Sequence, residues 1–259
     1  MTARQTQDEF SSPKKAHIEA LLRQSQYAQA LSEIEAILDP SLNDQINTPL
    51  EIMYLDALAG LGRWDDCIGS GTRALGRLGP DEHGLRSRVH GMLGYAHMRI
   101  GSARKAESHL RAAIHILTWT DVDPEGALRE QRRLCLMFKN FGLWSQAEFE
   151  LQKAIEVADT NGLERESGNL RVNLAIVLLK SGKMDGLTSL LDDADVRLSR
   201  ELSAKGLLSA RLVRANYLRI SGHPAKALRL RSKLRAANGL RGTVGASVAR
   251  QNSIKERAA

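Results

Sequence analysis

The sequence predicts an all-α protein, a right-handed superhelical solenoid of about six helix-turn-helix repeats. The first observation behind this prediction is a glycine that recurs at intervals of 39, 41, 40 and 40 residues. The second is a set of small or apolar residues that follows each glycine at helical spacing, and the third is the placement of prolines between the motifs. Self-similarity at such a period is typical of arrays in which each unit packs on its neighbours. The glycines are Gly62, Gly101, Gly142, Gly182 and Gly222.

The helix after each glycine has a regular buried face. Five residues after the glycine the sequence has, in turn, Cys67, Ala106, Ala147, Leu187 and Ala227. Seven residues later it has Ala74, Ala113, Ala154, Ala194 and Leu234. A weaker first copy shows the same offsets with Ser25, Tyr27, Ala30, Ile34 and Ile37. Spacings of three, four and seven residues put such side chains on one helix face, so we predict about twelve helices paired as antiparallel hairpins.

This pattern resembles the tetratricopeptide repeat (TPR) family over residues 14–238. The clearest copy spans residues 93–114, where Leu93 and Gly94 match the family's Leu-Gly pair and Gly101 its interhelical turn. The period near 40 exceeds the family's 34, as in the extended repeats of some bacterial regulators and scaffolds. Leu55 also departs from the pattern, because it stands where a small residue is expected. We expect a flexible arm over residues 1–13 and a flexible basic tail over residues 239–259.

Composition narrows the class of protein. No apolar run is long enough to cross a bilayer, and the polar N-terminus lacks the apolar segment of a signal peptide. Two cysteines, Cys67 and Cys135, are too few for a disulfide framework and fall at packing positions. These features favour a cytoplasmic protein without membrane contact.

Charge is distributed unevenly along the chain. Residues 197–259 contain 15 Lys and Arg against 2 Asp and Glu, whereas residues 1–196 contain 22 against 28. We predict a basic patch on the last hairpin, formed by Arg211, Arg214, Lys226, Arg229, Arg231, Lys233 and Arg235. Such a patch can hold a phosphate backbone or an acidic protein surface, or it can be a solvated end that prevents stacking. With Tyr217 as the only aromatic residue nearby, nucleic acid is the less favoured partner.

No motif supports catalysis, a cofactor or a metal. His83, His90 and His97 are seven residues apart, about 10 Å along a helix, which is too far for two of them to share a zinc ion. The segments 68–72 and 181–186 superficially evoke a nucleophile elbow and a phosphate loop, but neither follows a strand. The cluster of Asp192, Asp193 and Asp195 lacks calcium-loop spacing and is interpreted as a solvated face. The sequence therefore predicts a protein that is not an enzyme.

The resemblance implies a ligand groove lined by the first helix of each repeat. Carried over copy by copy, the groove residues are Arg88, Tyr95, Arg99, Arg129, Arg132, Lys139, Asn140, Asn169, Asn173, Asn216 and Arg219, with Arg171 near the rim. Arginine binds carboxylates through two parallel hydrogen bonds, and an asparagine amide can pair with a peptide backbone. The alternative is that exposed helix positions in any soluble protein favour such residues.

The leading hypothesis is accordingly a protein- or peptide-binding adaptor or scaffold whose groove accepts an acidic or carboxylate-bearing segment. The alternative hypothesis is the sensory arm of a bacterial transcriptional regulator, in which the basic end contacts an effector domain or nucleic acid. Self-association through the terminal hairpins is a further alternative.

Overall fold

The computed structural model describes residues 12–37, 48–120 and 123–236, and these residues form twelve α-helices joined by turns. The first six helices are α1 (Ser12–Arg23), α2 (Tyr27–Ile37), α3 (Thr48–Gly60), α4 (Trp64–Arg77), α5 (His83–Arg99) and α6 (Ala103–Trp119). The next five are α7 (Pro124–Asn140), α8 (Trp144–Thr160), α9 (Glu164–Ser181), α10 (Leu187–Arg200) and α11 (Ala204–Ile220). The last, α12, covers residues 224–236. The prediction of an all-α repeat protein is confirmed, and no strand occurs within these ranges.

The repeating glycines form the turn inside each hairpin. All five have a positive φ, between 71° at Gly142 and 84° at Gly101, a conformation that glycine adopts without a steric penalty. In the first hairpin Ser25 replaces the glycine and has a φ of 60°. The weak first copy is therefore a true repeat with the same turn. Residues 68–72 lie inside α4 and residues 181–186 form the turn at Gly182, as predicted.

The chain divides into two compact units, Met1–Glu150 and Leu151–Ala259. In the first unit the offset residues Cys67, Ala74, Ala106, Ala113 and Ala147 are buried, whereas Ile37 of the weaker first copy is half-buried. A Cβ atom added to Gly94 would lie 2.6 Å from Cγ of Leu110, so the absence of a side chain allows α5 and α6 to pack this closely. Burial raises the pKa of the Cys67 thiol to about 11 and that of Cys135 to about 12, which fits their prediction as reduced packing residues.

The second unit has its own apolar core, which includes Leu187, Leu191, Ala194, Leu198 and Ala210. These residues come from α10 and from α11, the helix that packs against it. Two of them, Leu187 and Ala194, are the offset positions predicted from the turn glycine Gly182, so the repeat pattern extends through this unit.

The predicted boundaries need one correction. Ser12 and Pro13 belong to α1 rather than to the flexible arm, because proline is tolerated in the first turn of a helix, where its missing N–H group has no partner to lose. The remaining arm and the predicted tail over residues 239–259 lie outside the described residues. In the described part of the chain, no helix combines the length and the apolar character needed to span a membrane.

The interpretation of the aspartate cluster as a solvated face is only partly right: the side chain of Asp192 is 63 % exposed, but all three carboxylates form ion pairs. Asp193 pairs with Nε of Arg171 at 2.5 Å, and Asp192 and Asp195 both pair with Nη2 of Arg214, at 2.8 and 3.1 Å. Arg171 is itself buried and not at a groove rim. The partners lie on the neighbouring helices, about 20 residues away in the sequence, so local spacing could not reveal them.

Arg171 lies at the centre of an ion-pair network within the second unit. Its Nη2 pairs with Asp159 at 2.7 Å, and Nη1 donates a hydrogen bond to Ser167. Arg197 also contacts Asp159, at 3.2 Å, and Asp193, at 3.1 Å. Burial alone would raise the pKa of Asp159, but hydrogen bonds from Arg171 and Ser167 and the charge of Arg197 outweigh burial and lower that pKa. The network joins α8, α9 and α10 through fixed charges.

The turn between α10 and α11 contains a residue in an unfavourable conformation. Leu202 has a φ of 49° and is 87 % exposed, while Gly162 occupies the same turn one repeat earlier with a φ of 65°. The left-handed region costs a non-glycine residue about 1–2 kcal/mol, and glycine removes this cost. Glycine also gives the unfolded chain more conformational freedom, which cancels part of the gain. We expect Leu202→Gly to raise the free energy of unfolding by about 0.5–1 kcal/mol in urea denaturation.

Gly162→Ala provides the matched control, because no atom within 4 Å would meet the added Cβ and only the backbone conformation opposes it. This variant is expected to lose about 1 kcal/mol. Equal effects of the same sign from both variants would contradict the conformational explanation.

Candidate functional site

A cavity of about 1060 Å³ runs along the first helices of the hairpins in the first unit. Its lining residues recur at fixed distances before the turn residues Ser25, Gly62 and Gly101. The sixth position before the turn contributes Glu19, Asp56 and Tyr95, and the second contributes Arg23, Gly60 and Arg99. We call this cavity the N-terminal groove. Its other lining residues include Lys15, Leu22, Tyr27, Ile52, Met53, Trp64, Leu85, Arg88, Met92 and Arg133.

Two aromatic side chains and two guanidinium groups form one wall of the N-terminal groove. The rings of Trp64 and Tyr95 meet edge to face, with centroids 5.7 Å apart and an angle of 78° between their planes. The guanidinium carbon of Arg99 lies 5.1 Å from the centroid of Trp64, and that of Arg133 lies 5.8 Å from the centroid of Tyr95. Each cation is attracted by the π electrons of its ring, so apolar surface and positive charge are held side by side.

The charge of the N-terminal groove is positive, since five basic and two acidic residues line it. Arg88 pairs with Asp56 at 2.7 Å, and Arg23 pairs with Glu19 at 3.6 Å. Arg99 pairs with no carboxylate in the described part of the chain. Its guanidinium group can therefore bind a carboxylate of a ligand without breaking an existing ion pair.

The predicted groove residues of the third repeat, Arg88, Tyr95 and Arg99, all line this groove. Those of the fourth repeat do not. Arg129 lies 3.7 Å from Asp123 in a neighbouring cavity of about 500 Å³, and the amide of Asn140 donates to Sδ of Met98 at 3.8 Å.

Arg132 is exposed and lines neither the N-terminal groove nor the neighbouring cavity of about 500 Å³. Lys139 is half-buried, and burial lowers the pKa of its ammonium group. The fourth repeat thus presents its polar residues to intramolecular partners rather than to the N-terminal groove.

Only Arg88, Tyr95 and Arg99 of the groove lining were predicted, and the unpredicted residues include Tyr27, Trp64, Met92 and Arg133. Arg133 stands nine residues before Gly142, and Met53 and Met92 occupy the same position in the two preceding repeats. Choosing the residue nine positions before the turn glycine in each repeat would have predicted Arg133 as a groove residue instead of Arg132. Tyr27 and Trp64 each follow the turn residue by two positions, so an aromatic residue at this position would have identified them.

The second unit has a separate, smaller cavity of about 430 Å³, which we call the C-terminal groove. Asn216 and Arg219 line it, and Nη2 of Arg219 donates to Oδ1 of Asn216 at 3.1 Å. Its other residues are mostly aliphatic, namely Ile176, Leu179, Lys180, Leu212, Val213 and Ile220. Asn169 and Asn173 do not line it, and the amide of Asn173 donates to the backbone carbonyl of Asn169.

The predicted basic patch is exposed with one exception. Arg214 is paired with Asp192 and Asp195 and is only partly exposed, so its charge is neutralised locally. The other six residues are exposed and pair with no described carboxylate: Arg211, Lys226, Arg229, Arg231, Lys233 and Arg235.

Histidines from two helices form a cluster that the sequence did not predict. His90 and His97 of α5 meet His109 of α6, with Nδ1 of His90 3.0 Å from Nδ1 of His109 and the rings of His97 and His109 stacked 5.5 Å apart. Nδ1 of His97 is buried without a hydrogen-bond partner. Over the described residues, no group of three His, Cys, Asp or Glu side chains has an arrangement that could hold a metal ion.

The cluster should make the stability of the protein fall in mild acid. Burial, the neighbouring histidines and Lys105 lower the pKa of His109 to about 4, and burial also lowers the pKa values of His90 and His97. In the unfolded chain these histidines take up protons below about pH 6.5. In the folded chain they stay neutral until the pH approaches their lower pKa values. The free energy of unfolding is therefore expected to fall as the pH falls through this window.

Chemical denaturation at about pH 7 and about pH 5 tests this expectation. His109→Gln should reduce the loss between the two pH values by up to about 2 kcal/mol relative to the parent chain. His115→Gln, at an exposed position of the same helix, should leave the loss unchanged. An identical loss in the parent chain and in His109→Gln would show that the cluster does not cause it.

Comparison with known proteins shows what this geometry resembles. No protein-family model and no curated protein sequence matches the chain. Among solved structures, a putative kinesin light chain of Podospora anserina with nearly identical TPR-like repeats superposes with a TM-score of 0.62 at 16 % identity, covering 74 % of this chain and 95 % of that one. The chain has a TPR-type repeat fold.

Two bacterial structures share this TPR-type fold. Aspartyl phosphate phosphatase F of Bacillus subtilis gives a TM-score of 0.70 at 12 % identity, covering 86 % of this chain and 59 % of that one. PlcR of Bacillus thuringiensis, in complex with the peptide PapR7 and DNA, gives 0.54 at 14 % identity, covering 72 % and 69 %. At these identities the likeness concerns the fold alone.

Proposed function

We propose that the protein is a binding scaffold whose N-terminal groove accepts an extended peptide segment with acidic and apolar side chains side by side. The observation that carries this proposal is the wall formed by Trp64 and Tyr95 with Arg99 and Arg133 over their rings. An aromatic or aliphatic ligand side chain can pack on the exposed ring surface, while its neighbouring carboxylate reaches a guanidinium group.

The dimensions and chemistry of the groove support a peptide rather than a compact metabolite. Its volume of about 1060 Å³ is at the upper limit of small-molecule pockets, and its lining extends over four consecutive hairpins. Met53 and Met92 lie on its floor, and flexible methionine side chains adapt to varied apolar partners. The likeness to PlcR, solved with the peptide PapR7, agrees with a peptide ligand.

Selection from a library of random linear peptides tests the proposal. The enriched sequences are expected to contain Asp or Glu next to Trp, Phe, Leu or Met. For a selected peptide, Arg99→Glu should raise the dissociation constant by about tenfold or more, since it removes a favourable charge and introduces a repulsive one. Fluorescence anisotropy of the labelled peptide provides the measurement.

Arg104→Glu is the matched control, because Arg104 is exposed in the same unit but does not line the groove. Its affinity for the peptide should equal that of the parent chain. Enrichment of basic peptides, or equal weakening by Arg99→Glu and Arg104→Glu, would overturn the proposal.

A regulatory arm of a bacterial transcription factor is the second candidate function. The observation in its favour is the fold likeness to PlcR, whose structure contains both a peptide and DNA. A DNA-binding or ATPase domain encoded beside this chain would support that assignment, whereas a consistently isolated gene would favour a free-standing scaffold.

A further inference from the structure

The charge distribution of the last hairpin points to a binding surface for double-stranded nucleic acid, read through its phosphate backbone. This surface comprises the six exposed residues Arg211, Lys226, Arg229, Arg231, Lys233 and Arg235, and we call it the basic end. It lies in the second unit and is independent of the peptide ligand proposed above.

The basic end has a high density of uncompensated charge. Residues 201–236 contain nine Lys and Arg and a single acidic residue, Glu201. Of the nine, Arg214 is neutralised by Asp192 and Asp195, whereas the six residues of the basic end pair with no carboxylate that the structure describes. This surplus of positive charge creates a potential that attracts anionic partners from solution.

Helix α12 arranges the charges in rows. Lys226, Arg229 and Lys233 are spaced three and four residues apart and share one side of the helix over about 10 Å. Arg231 and Arg235, four residues apart, form a second row on another side. A DNA duplex carries about one negative charge per 1.7 Å of its axis, a density that such rows can neutralise.

The apolar residues of α12 argue against a membrane as the partner. Ala227 and Leu234 are buried. Leu228, which is 68 % exposed, has only Pro224 and Ala225 as apolar neighbours one turn earlier, and Arg231 and Ser232 follow one turn later. A helix that binds in a bilayer interface needs a continuous apolar face to insert.

The same region favours a duplex over a single strand. Tyr217 is the only aromatic residue between 201 and 236 and is half-buried. Single-strand binding relies on aromatic side chains that stack on bases, whereas a duplex presents its phosphates without exposing the bases. We therefore expect binding that depends on charge and salt but not on base sequence.

The test uses the full chain and a labelled DNA duplex of about 20 base pairs, followed by fluorescence anisotropy at several salt concentrations. The expected dissociation constant near physiological salt is about 10⁻⁶–10⁻⁴ M, falling steeply as salt is removed. The triple variant Lys226→Glu, Arg229→Glu, Lys233→Glu should bind at least about tenfold more weakly. It should also lower the slope of log affinity against log salt by about three.

A second triple variant with the same change in net charge provides the control: Lys14→Glu, Arg104→Glu, Arg165→Glu, all at exposed positions elsewhere. It should retain most of the affinity. Absence of duplex binding, or equal loss in both triple variants, would overturn the proposal. Equal or tighter binding to phosphatidylserine vesicles or to polyglutamate would overturn it in favour of a membrane or an acidic protein.

Discussion

Gly94→Val is expected to lower the free energy of unfolding by about 3 kcal/mol, because it forces side-chain atoms into the contact between α5 and α6. An added Cβ would lie 2.6 Å from Cγ of Leu110 and 3.1 Å from the backbone nitrogen of the same residue. Rotation of the leucine side chain can relieve the first contact but not the second. The helices must separate, and the closely packed interior transmits that shift.

Gly84→Val, at an exposed position of the same helix, is the control for this substitution. No atom lies within 4 Å of a Cβ added at Gly84, so only the change in helix propensity remains. This variant should be neutral or slightly more stable than the parent chain, by about 0.3 kcal/mol. Urea denaturation of both variants decides the matter, and a Gly94→Val chain as stable as its parent would refute the close-packing explanation.

Arg171→Met is expected to destabilise the protein by about 3 kcal/mol, because it removes the buried cation that pairs with both Asp159 and Asp193 in the second unit. The side chain of Arg171 is 10 % exposed, and it alone contacts Ser167, Asp159 and Asp193 together. Removing one partner of a buried ion pair costs about 3–5 kcal/mol, and the carboxylates here are 34 and 42 % exposed, which places the loss at the lower end.

Two further variants separate the network from a general effect of charge. Arg200→Met removes an exposed arginine of α10 and should change stability by less than about 0.5 kcal/mol. In a double-mutant cycle, Arg171→Met and Asp193→Asn should be less than additive, since the second change removes a carboxylate that the first leaves with one guanidinium partner instead of two. Additive effects would mean that the ion pair between Arg171 and Asp193 does not contribute to stability.

Features set by the repeat period could be predicted from sequence. The turn glycines and the buried offsets recur from copy to copy, so the copies support one another. Even the serine turn at Ser25 was recognisable, because its following residues kept the register. Arg88, Tyr95 and Arg99 reached the N-terminal groove for the same reason.

Features made by contacts between helices could not be predicted in this way. Asp193 reads as a solvated residue until α9 brings Arg171 to within 2.5 Å of it. His109 follows no spacing shared with His90 and His97, and it joins them only because α5 and α6 are antiparallel. Which groove residues keep a free charge depends on such partners too.

Photo-crosslinking tests the central claim, that a peptide binds in the N-terminal groove, most directly. The cross-linking residue p-benzoylphenylalanine is placed at position 88, on the exposed rim of the groove, or at position 104, outside it. A peptide obtained by library selection on the parent chain is then added and irradiated. The account predicts a covalent adduct from position 88 that unlabelled peptide competes away, and none above background from position 104. Equal adducts from both positions, or an adduct from position 104 alone, would contradict it.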